Sequence, residues 1–252
     1  LRAGEADAWL AGLAGNVVGA VDGETPADYA RFADAALQAA AHGKRLLFRS
    51  AASLLTALAK LPPQPVPAED FAKLVRGGRP GAVIVGSHVA KTTAQLAALL
   101  KQPGTVGLPL DVSLLPEGRA AVAAALVASV AHAHAQGLTP VVFTSRSERR
   151  FAGTADRLAF GEAVSATLMD VVRALPPTLG YLVSKGGITS NDVLSSGLAL
   201  TASRVLGQIL PGVTVVQTPA DHRVPQMPVV IFPGNVGGDG ALAEAYRRLS
   251  GR

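Results

Sequence analysis

The chain has 252 residues, 23 Lys and Arg against 18 Asp and Glu, and no cysteine. Its 49% apolar and 16% charged residues support a sizeable core and exclude a disordered polyelectrolyte, and the missing thiols exclude disulfides, cysteine-held zinc, iron–sulfur clusters and thiol nucleophiles. The net charge of +5 favours anionic partners, while an aromatic content of 4% supplies a stacking platform for single-stranded nucleic acid poorly. In chain order, Asn16–Val21 reads as a strand, Pro26–Ala41 as a helix, Lys44–Phe48 as a strand and Ser50–Lys60 as a helix. Leu61-Pro-Pro-Gln-Pro-Val-Pro67 then stops any regular element, since proline lacks an N–H and fixes φ. It marks a linker.

A second series begins at Gly81. Strands are predicted at Ala82–Val85, Val106–Pro109, Pro140–Thr144, Tyr181–Val183, Val213–Val216 and Val229–Phe232. Helices are predicted at Lys91–Lys101, Pro116–Gln136, Ala155–Ala174, Asn191–Gln208 and Asp239–Leu249. Strands this uniformly apolar are buried on both faces, the habit of a mostly parallel sheet covered by helices. The expectation is an α/β fold with helices on both faces of the sheet, preceded by part of a second α/β domain. Residues 1–67 form the tail of one domain plus linker, and residues 81–252 form the other.

The charge-free stretch Ala120–Ser145 is long enough to span a bilayer. Its His132, His134, Gly137 and Pro140 instead predict a buried helix, a turn and a strand, and the two histidines, at i and i+2, do not share a face. No basic start followed by an apolar core opens the chain, so a cytoplasmic location is expected, with no membrane partner. The basic residues are scattered. Their densest group is Arg146, Arg149 and Arg150, with Arg157 beyond, which reads as a solvated loop or as one facing a phosphate or a partner.

Three predicted strand ends carry glycine and hydroxyl groups, where ligands of open α/β sheets bind. The first is Gly86-Ser87-His88 ahead of a helix near Lys91. It is not a Walker loop, because Gly86 to Lys91 is one residue short and Ala90 stands where the second glycine belongs. The second is Ser184-Lys185-Gly186-Gly187 followed by Thr189, Ser190, Asn191 and Asp192. Paired glycines admit close backbone approach, successive amides cradle anions and Lys185 adds charge. Asp192 either holds Mg²⁺ through water or favours a helix dipole. The third is Pro233-Gly234-Asn235-Val236-Gly237-Gly238-Asp239-Gly240. Together they predict a nucleotide site between loops, with adenosine in an apolar slot and phosphates on amides. The chain contains no Gly-x-Ser-x-Gly elbow and no dinucleotide fingerprint after a strand.

These three segments resemble, in this order, the C-terminal nucleotide-binding region of the four-carbon acid sugar kinase family. The residues that carry the resemblance are Val85-Gly-Ser-His-Val-Ala-Lys-Thr-Thr-Ala-Gln95, Lys185-Gly-Gly-Ile-Thr-Ser-Asn-Asp192, Arg204-Val-Leu-Gly-Gln-Ile-Leu-Pro-Gly212 and Phe232-Pro-Gly-Asn-Val-Gly237. Gly43–Ser53 resembles the end of the family's substrate domain. The resemblance implies transfer of the γ-phosphoryl group of Mg·ATP to a hydroxyl of a sugar acid of the threonate, erythronate or 3-oxotetronate type. It places ATP contacts at Ser87, Gly186, Gly187, Ile188, Thr189 and Gly234 and a substrate contact at Arg49, while Lys185 and Asp192 stand, by their own chemistry, as candidate phosphate or Mg-water contacts. The family's opening Asp-Asp-Leu-Thr-Gly-like segment is missing from this sequence, and the chain starts at Leu1 rather than Met. A piece of a longer enzyme is therefore expected, retaining mainly ATP binding, with weak or no kinase activity and an unassigned catalytic residue. The competing expectation is a non-catalytic module for a nucleotide or acidic metabolite. A nucleic-acid partner, supported only by net charge, is not expected, and a homodimer is left open.

Overall fold

The computed structural model describes residues 5–61, 66–115, 117–146, 151 and 153–251. Two compact units result, Leu1–Pro63 and Gln64–Arg252. Most of the proline-rich linker, together with Arg149 and Arg150 of the basic group, lies outside the described residues.

The first unit is built from α1 (Ala6–Gly12), α2 (Pro26–Ala41) and α3 (Ala52–Leu58). Helix α2 starts where expected because Thr25 and Asp28 form a reciprocal capping box and Pro26 occupies the first helical position. Leu10, Phe32, Ala33, Ala36 and Leu54 close a small core. The strands expected over 16–21 and 44–48 do not form: both runs are irregular, and Val18 and Leu47 are fully exposed. An apolar run becomes a strand only when a neighbour satisfies its backbone, and no described residue of this unit offers a ladder.

The second unit is a seven-stranded mixed sheet with helices on both sides. Its strands are β1 (Ala82–Val85), β2 (Thr105–Leu110), β3 (Thr139–Thr144), β4 (Leu182–Lys185), β5 (Arg204–Leu210), β6 (Val213–Gln217) and β7 (Pro228–Phe232), in the spatial order β2-β3-β1-β4-β7-β6-β5. Strands β1 to β4 and β7 are parallel, and β6 runs antiparallel to both its neighbours. Helices α5 (Arg119–Ala135) and α6 (Thr154–Arg173) pack together, as do α4 (Ala90–Leu99) and α8 (Ala241–Ser250). Alternation along the strands feeds two cores: Ala82 and Ile84 join Leu126, Leu168 and Val172, whereas Val83 and Val85 join Leu96, Leu242 and Tyr246. Burial on both faces explains why these strands read as continuous apolar runs.

Two differences from the predicted elements matter. The helix expected over 191–208 is instead α7 (Gly187–Asp192), a π-helical turn (Val193–Gly197) and β5. Ala199 at φ +53° ends the helical path, and Pro211-Gly212, with Gly212 at φ +77°, turns β5 back onto β6. Val205, Leu206, Ile209 and Leu210 fit a helical period, so only the Pro-Gly turn betrays the hairpin. Strand β4 also runs two residues past Val183, which draws Ser184 and Lys185 into the sheet. His132 and His134 lie on α5, and His134 Nε2 sits 3.0 Å from Thr178 Oγ1. Among the described residues no helix is long and apolar enough to cross a membrane.

Candidate functional site

A cavity of about 470 Å³ opens at the carboxyl ends of β1, β3, β4 and β7. Six residues picked from sequence as nucleotide contacts line it: Ser87, Gly186, Gly187, Ile188, Thr189 and Gly234. Asp192 lines it as well. The parallel order places β1 beside β4 and β4 beside β7, so their loops meet although they are far apart in the chain.

Close backbone packing holds the first two loops together. A Cβ on Gly86 would lie 2.1 Å from Thr189 Oγ1, so no larger residue fits there. Gly186 takes φ +120°, a conformation closed to ordinary L residues. Its N–H donates to the Phe232 carbonyl at 2.9 Å, and its own carbonyl accepts from Ser190 N at 2.9 Å. The N–H groups of Gly187, Ile188 and Thr189, at the start of α7, have no acceptor within the helix.

The third loop is held by side chains of the other two. Lys185 is fully buried and its Nζ donates to the Pro233 and Gly234 carbonyls at 2.6 and 3.1 Å, 4.4 Å from the centre of the Phe232 ring. Burial, and then the charge of Lys91, pulls its pKa down from 10.5 to about 8. Lys185 does not line the cavity; it braces the loop that does. From α4, Lys91 reaches the Asn235 carbonyl, and the Thr92 hydroxyl lies 3.4 Å from Ser87 Oγ and 3.5 Å from the Gly234 carbonyl. Gln95 Nε2 donates to the Val236 and Gly238 carbonyls at 2.9 and 3.0 Å. Gln95→Ala leaves these carbonyls without their donor and is expected to destabilise the fold by about 2 kcal/mol, measurable by urea unfolding.

The fourth wall was not legible as a site. Thr144 and Ser145, at the end of β3, and Phe160, Val164 and Leu168, at i, i+4 and i+8 on α6, form it with Val112 and Phe151. The Phe151 and Phe160 ring centres are 5.0 Å apart. Arg146 is half-buried, and burial lowers its pKa. It donates to the Ser87 carbonyl at 2.7 Å and to the Thr144 carbonyl at 2.9 and 2.7 Å, clamping this wall to the first loop. The run of β-branched and aromatic residues in β3 foretold a strand but not which loop its end would meet. A helical stripe of Phe, Val and Leu likewise reads as core.

Arg49 lies in the first unit, exposed, in the irregular segment before α3. Among the described residues no three His, Cys, Asp or Glu side chains gather as a metal-holding group. Asp192 is the carboxylate on the cavity wall, its Oδ2 accepting a hydrogen bond from the Ser165 hydroxyl.

A mixed sheet with helices on both sides, glycine loops at neighbouring strand ends and an apolar slot beside them define an α/β ligand-binding domain. Residues 82–242 match the family model described as the nucleotide-binding C-terminal domain, and the chain belongs to that family. No curated protein matches the chain. Among solved structures, the fold is similar to a domain of unknown function (DUF1537) from Bordetella bronchiseptica, a domain-swapped dimer with bound citrate, at 23% identity and TM-score 0.56, covering 92% of this chain and 53% of that one. It is also similar to a Haemophilus influenzae protein of the same DUF1537 family, at 16% identity and TM-score 0.54, covering 91% of this chain and 53% of that one. The chain thus spans about half the length of these solved proteins.

Proposed function

We propose that this chain binds ATP and forms the nucleotide half of a kinase that phosphorylates a hydroxyl of a four-carbon sugar acid. The observation that carries this reading is the convergence of three glycine loops and an apolar wall on one cavity. Its phosphate end would be the free amides of Gly187, Ile188 and Thr189 with Gly86, Ser87 and Gly234, and its base end Val112, Phe151, Phe160, Val164 and Leu168. Membership of a nucleotide-binding family and the DUF1537 likeness support the reading.

Phosphoryl transfer depends mostly on positioning and charge stabilisation. In this chain the amides orient the phosphates, Lys185 and Gln95 keep the Gly234 loop against them, and the α6 wall excludes water from the base. The donor set fits Mg²⁺ carried on phosphate oxygens, since that ion takes one or two carboxylates plus phosphates and Asp192 stands at the wall. Bound Mg²⁺ would neutralise phosphate charge. The acid substrate, with Arg49 as a candidate contact, and the group that receives the acceptor proton belong to the proposal for the intact enzyme. So does division of the chain into a substrate-domain tail (1–67) and a nucleotide domain (81–252).

Calorimetric titration of ATP and ADP tests the reading: saturable one-site binding is expected, and no binding by folded protein sinks it. Phe160→Ala removes one aromatic wall and is expected to weaken ADP about tenfold, since stacking on an aromatic is worth about 1–3 kcal/mol. Citrate in the Bordetella bronchiseptica protein favours a second reading, a non-catalytic module for an acidic metabolite. Sugar acids added with Mg·ATP separate the two, turnover supporting the kinase and binding without turnover the module. The domain-swapped state of that neighbour also suggests a homodimer, which light scattering checks.

A further inference from the structure

The carboxylate of Asp192 lines the cavity together with the start of α7 and the apolar stripe of α6. It lies one helical turn beyond Ile188, past the amides at the start of α7, and its Oδ2 is tied to Ser165 on α6. On α6, Gly161 and Ser165 follow each other at i and i+4, beside the apolar stripe of Phe160, Val164 and Leu168, and all five line the cavity. A Cβ on Gly161 would meet nothing within 4 Å, so the space before this stripe is open.

An ionised carboxylate only accepts hydrogen bonds. Beside a phosphate it would repel, so its ligand must be a cation or a donor. The Ser165 hydroxyl takes up one direction of Oδ2, and Asn191 Nδ2 reaches Oδ1 only at 3.4 Å, which leaves acceptor capacity toward the cavity. In a nucleotide spanning from amides to apolar wall, the group between them is the sugar, and its vicinal hydroxyls are the donors.

Resting on the nucleotide reading, we propose that Asp192, held in place by Ser165, accepts hydrogen bonds from the ribose hydroxyls and makes this cavity selective for ribonucleotides. Asp192 is then a specificity residue that acts on the sugar without any metal, and Ser165 is its positioning residue.

The test is calorimetry with ADP, 2′-deoxy-ADP and 3′-deoxy-ADP, first in EDTA without Mg²⁺ and then with Mg²⁺ added. ADP is expected to bind at least about tenfold more tightly than one of the deoxy analogues, since a hydrogen bond to a charged group is worth about 1.5–3 kcal/mol. Asp192→Asn is expected to bring the three affinities within about threefold of each other, mainly by weakening ADP, and Ser165→Ala to narrow the gap partly. Equal binding of all three by the unaltered protein overturns the proposal and leaves the nucleotide reading standing. Failure of every nucleotide to bind the folded protein overturns both. An Asp192→Asn effect that appears only when Mg²⁺ is added, or that weakens all three nucleotides equally, assigns the carboxylate to metal or structure and also overturns it. Should Asp192→Asn fail to fold, the unaltered protein and Ser165→Ala decide by the same criteria.

Discussion

Gly86→Ala is expected to weaken ADP by at least about 30-fold, and it is the largest single-residue loss of binding that the structure foretells. The added Cβ would lie 2.1 Å from Thr189 Oγ1 and 3.2 Å from Thr189 Cβ and Cγ2. Thr189 is buried, and its β-branched side chain has few rotamers to retreat into. The loops must therefore part. Overpacking of this kind costs about 1–3 kcal/mol of stability, and the same displacement moves the amides of Gly187 to Thr189 from the cavity. About 2 kcal/mol lost from binding corresponds to the stated factor. Calorimetry reads the affinity and urea unfolding the stability. Thr189→Ala removes the 2.1 Å contact, so the double variant should regain part of the stability; no recovery would show that the clash lies elsewhere.

Lys185 carries the second prediction, which concerns pH. Its folded-state pKa stands at about 8 instead of 10.5, first because burial disfavours the ammonium and then because Lys91 is near. In the unfolded chain the side chain regains the ordinary value. Between these two values the unfolded state binds a proton that the folded state has lost, so raising the pH favours folding. Below about pH 8 both states are protonated and this dependence vanishes. Across pH 8 to 10.5 the protein should gain stability relative to Lys185→Met, by up to about 3 kcal/mol for a shift of this size. Urea unfolding of both proteins at stepped pH isolates the residue, because all other titrating groups are shared. A constant difference between the two across this window would refute the assignment.

The same variant also separates stability from binding. At pH 7 the methionine relieves a buried charge, which stabilises, and leaves the Pro233 and Gly234 carbonyls without their donor, which destabilises. These effects offset, so the stability change at pH 7 is modest. The position of the Gly234 loop has no such compensation, and ADP affinity is expected to fall about tenfold, the equivalent of one lost charge-assisted hydrogen bond. Lys185→Arg should not rescue it, because a planar guanidinium does not fit where a compact ammonium meets two carbonyls.

Helices and central strands were legible where one physical cause dominates. Thr25, Pro26 and Asp28 fix the start of α2, and continuous apolar runs fix β1, β3 and β7. The sequence failed to reveal elements whose identity depends on a neighbour. Val205 to Leu210 is a strand only because β6 turns back beside it, and the runs at 16–21 and 44–48 are not strands because nothing described in their unit pairs with them. The glycine loops were visible because three of them, each rich in glycine or hydroxyl groups, end strands of one sheet, which is where such sheets bind ligands. The α6 wall was hidden because Phe160, Val164 and Leu168 look like any apolar stripe.

The sequence, through its glycine loops and the family resemblance, singled out Ser87, Gly186, Gly187, Ile188, Thr189 and Gly234 as candidate contacts, and all six line the cavity with Asp192. Backbone freedom and side-chain chemistry are local properties, and they are written in the residue types. What only the tertiary structure decided is how those residues divide the work. Lys185 reads as a phosphate contact in sequence, yet extension of β4 by two residues turns its ammonium onto the Pro233 and Gly234 carbonyls. Arg146, one of a scattered basic group, becomes the clamp between Ser87 and Thr144. The direction of a long charged side chain is set by strand order and by which carbonyls that order leaves unpaired, and neither is a property of the residue itself.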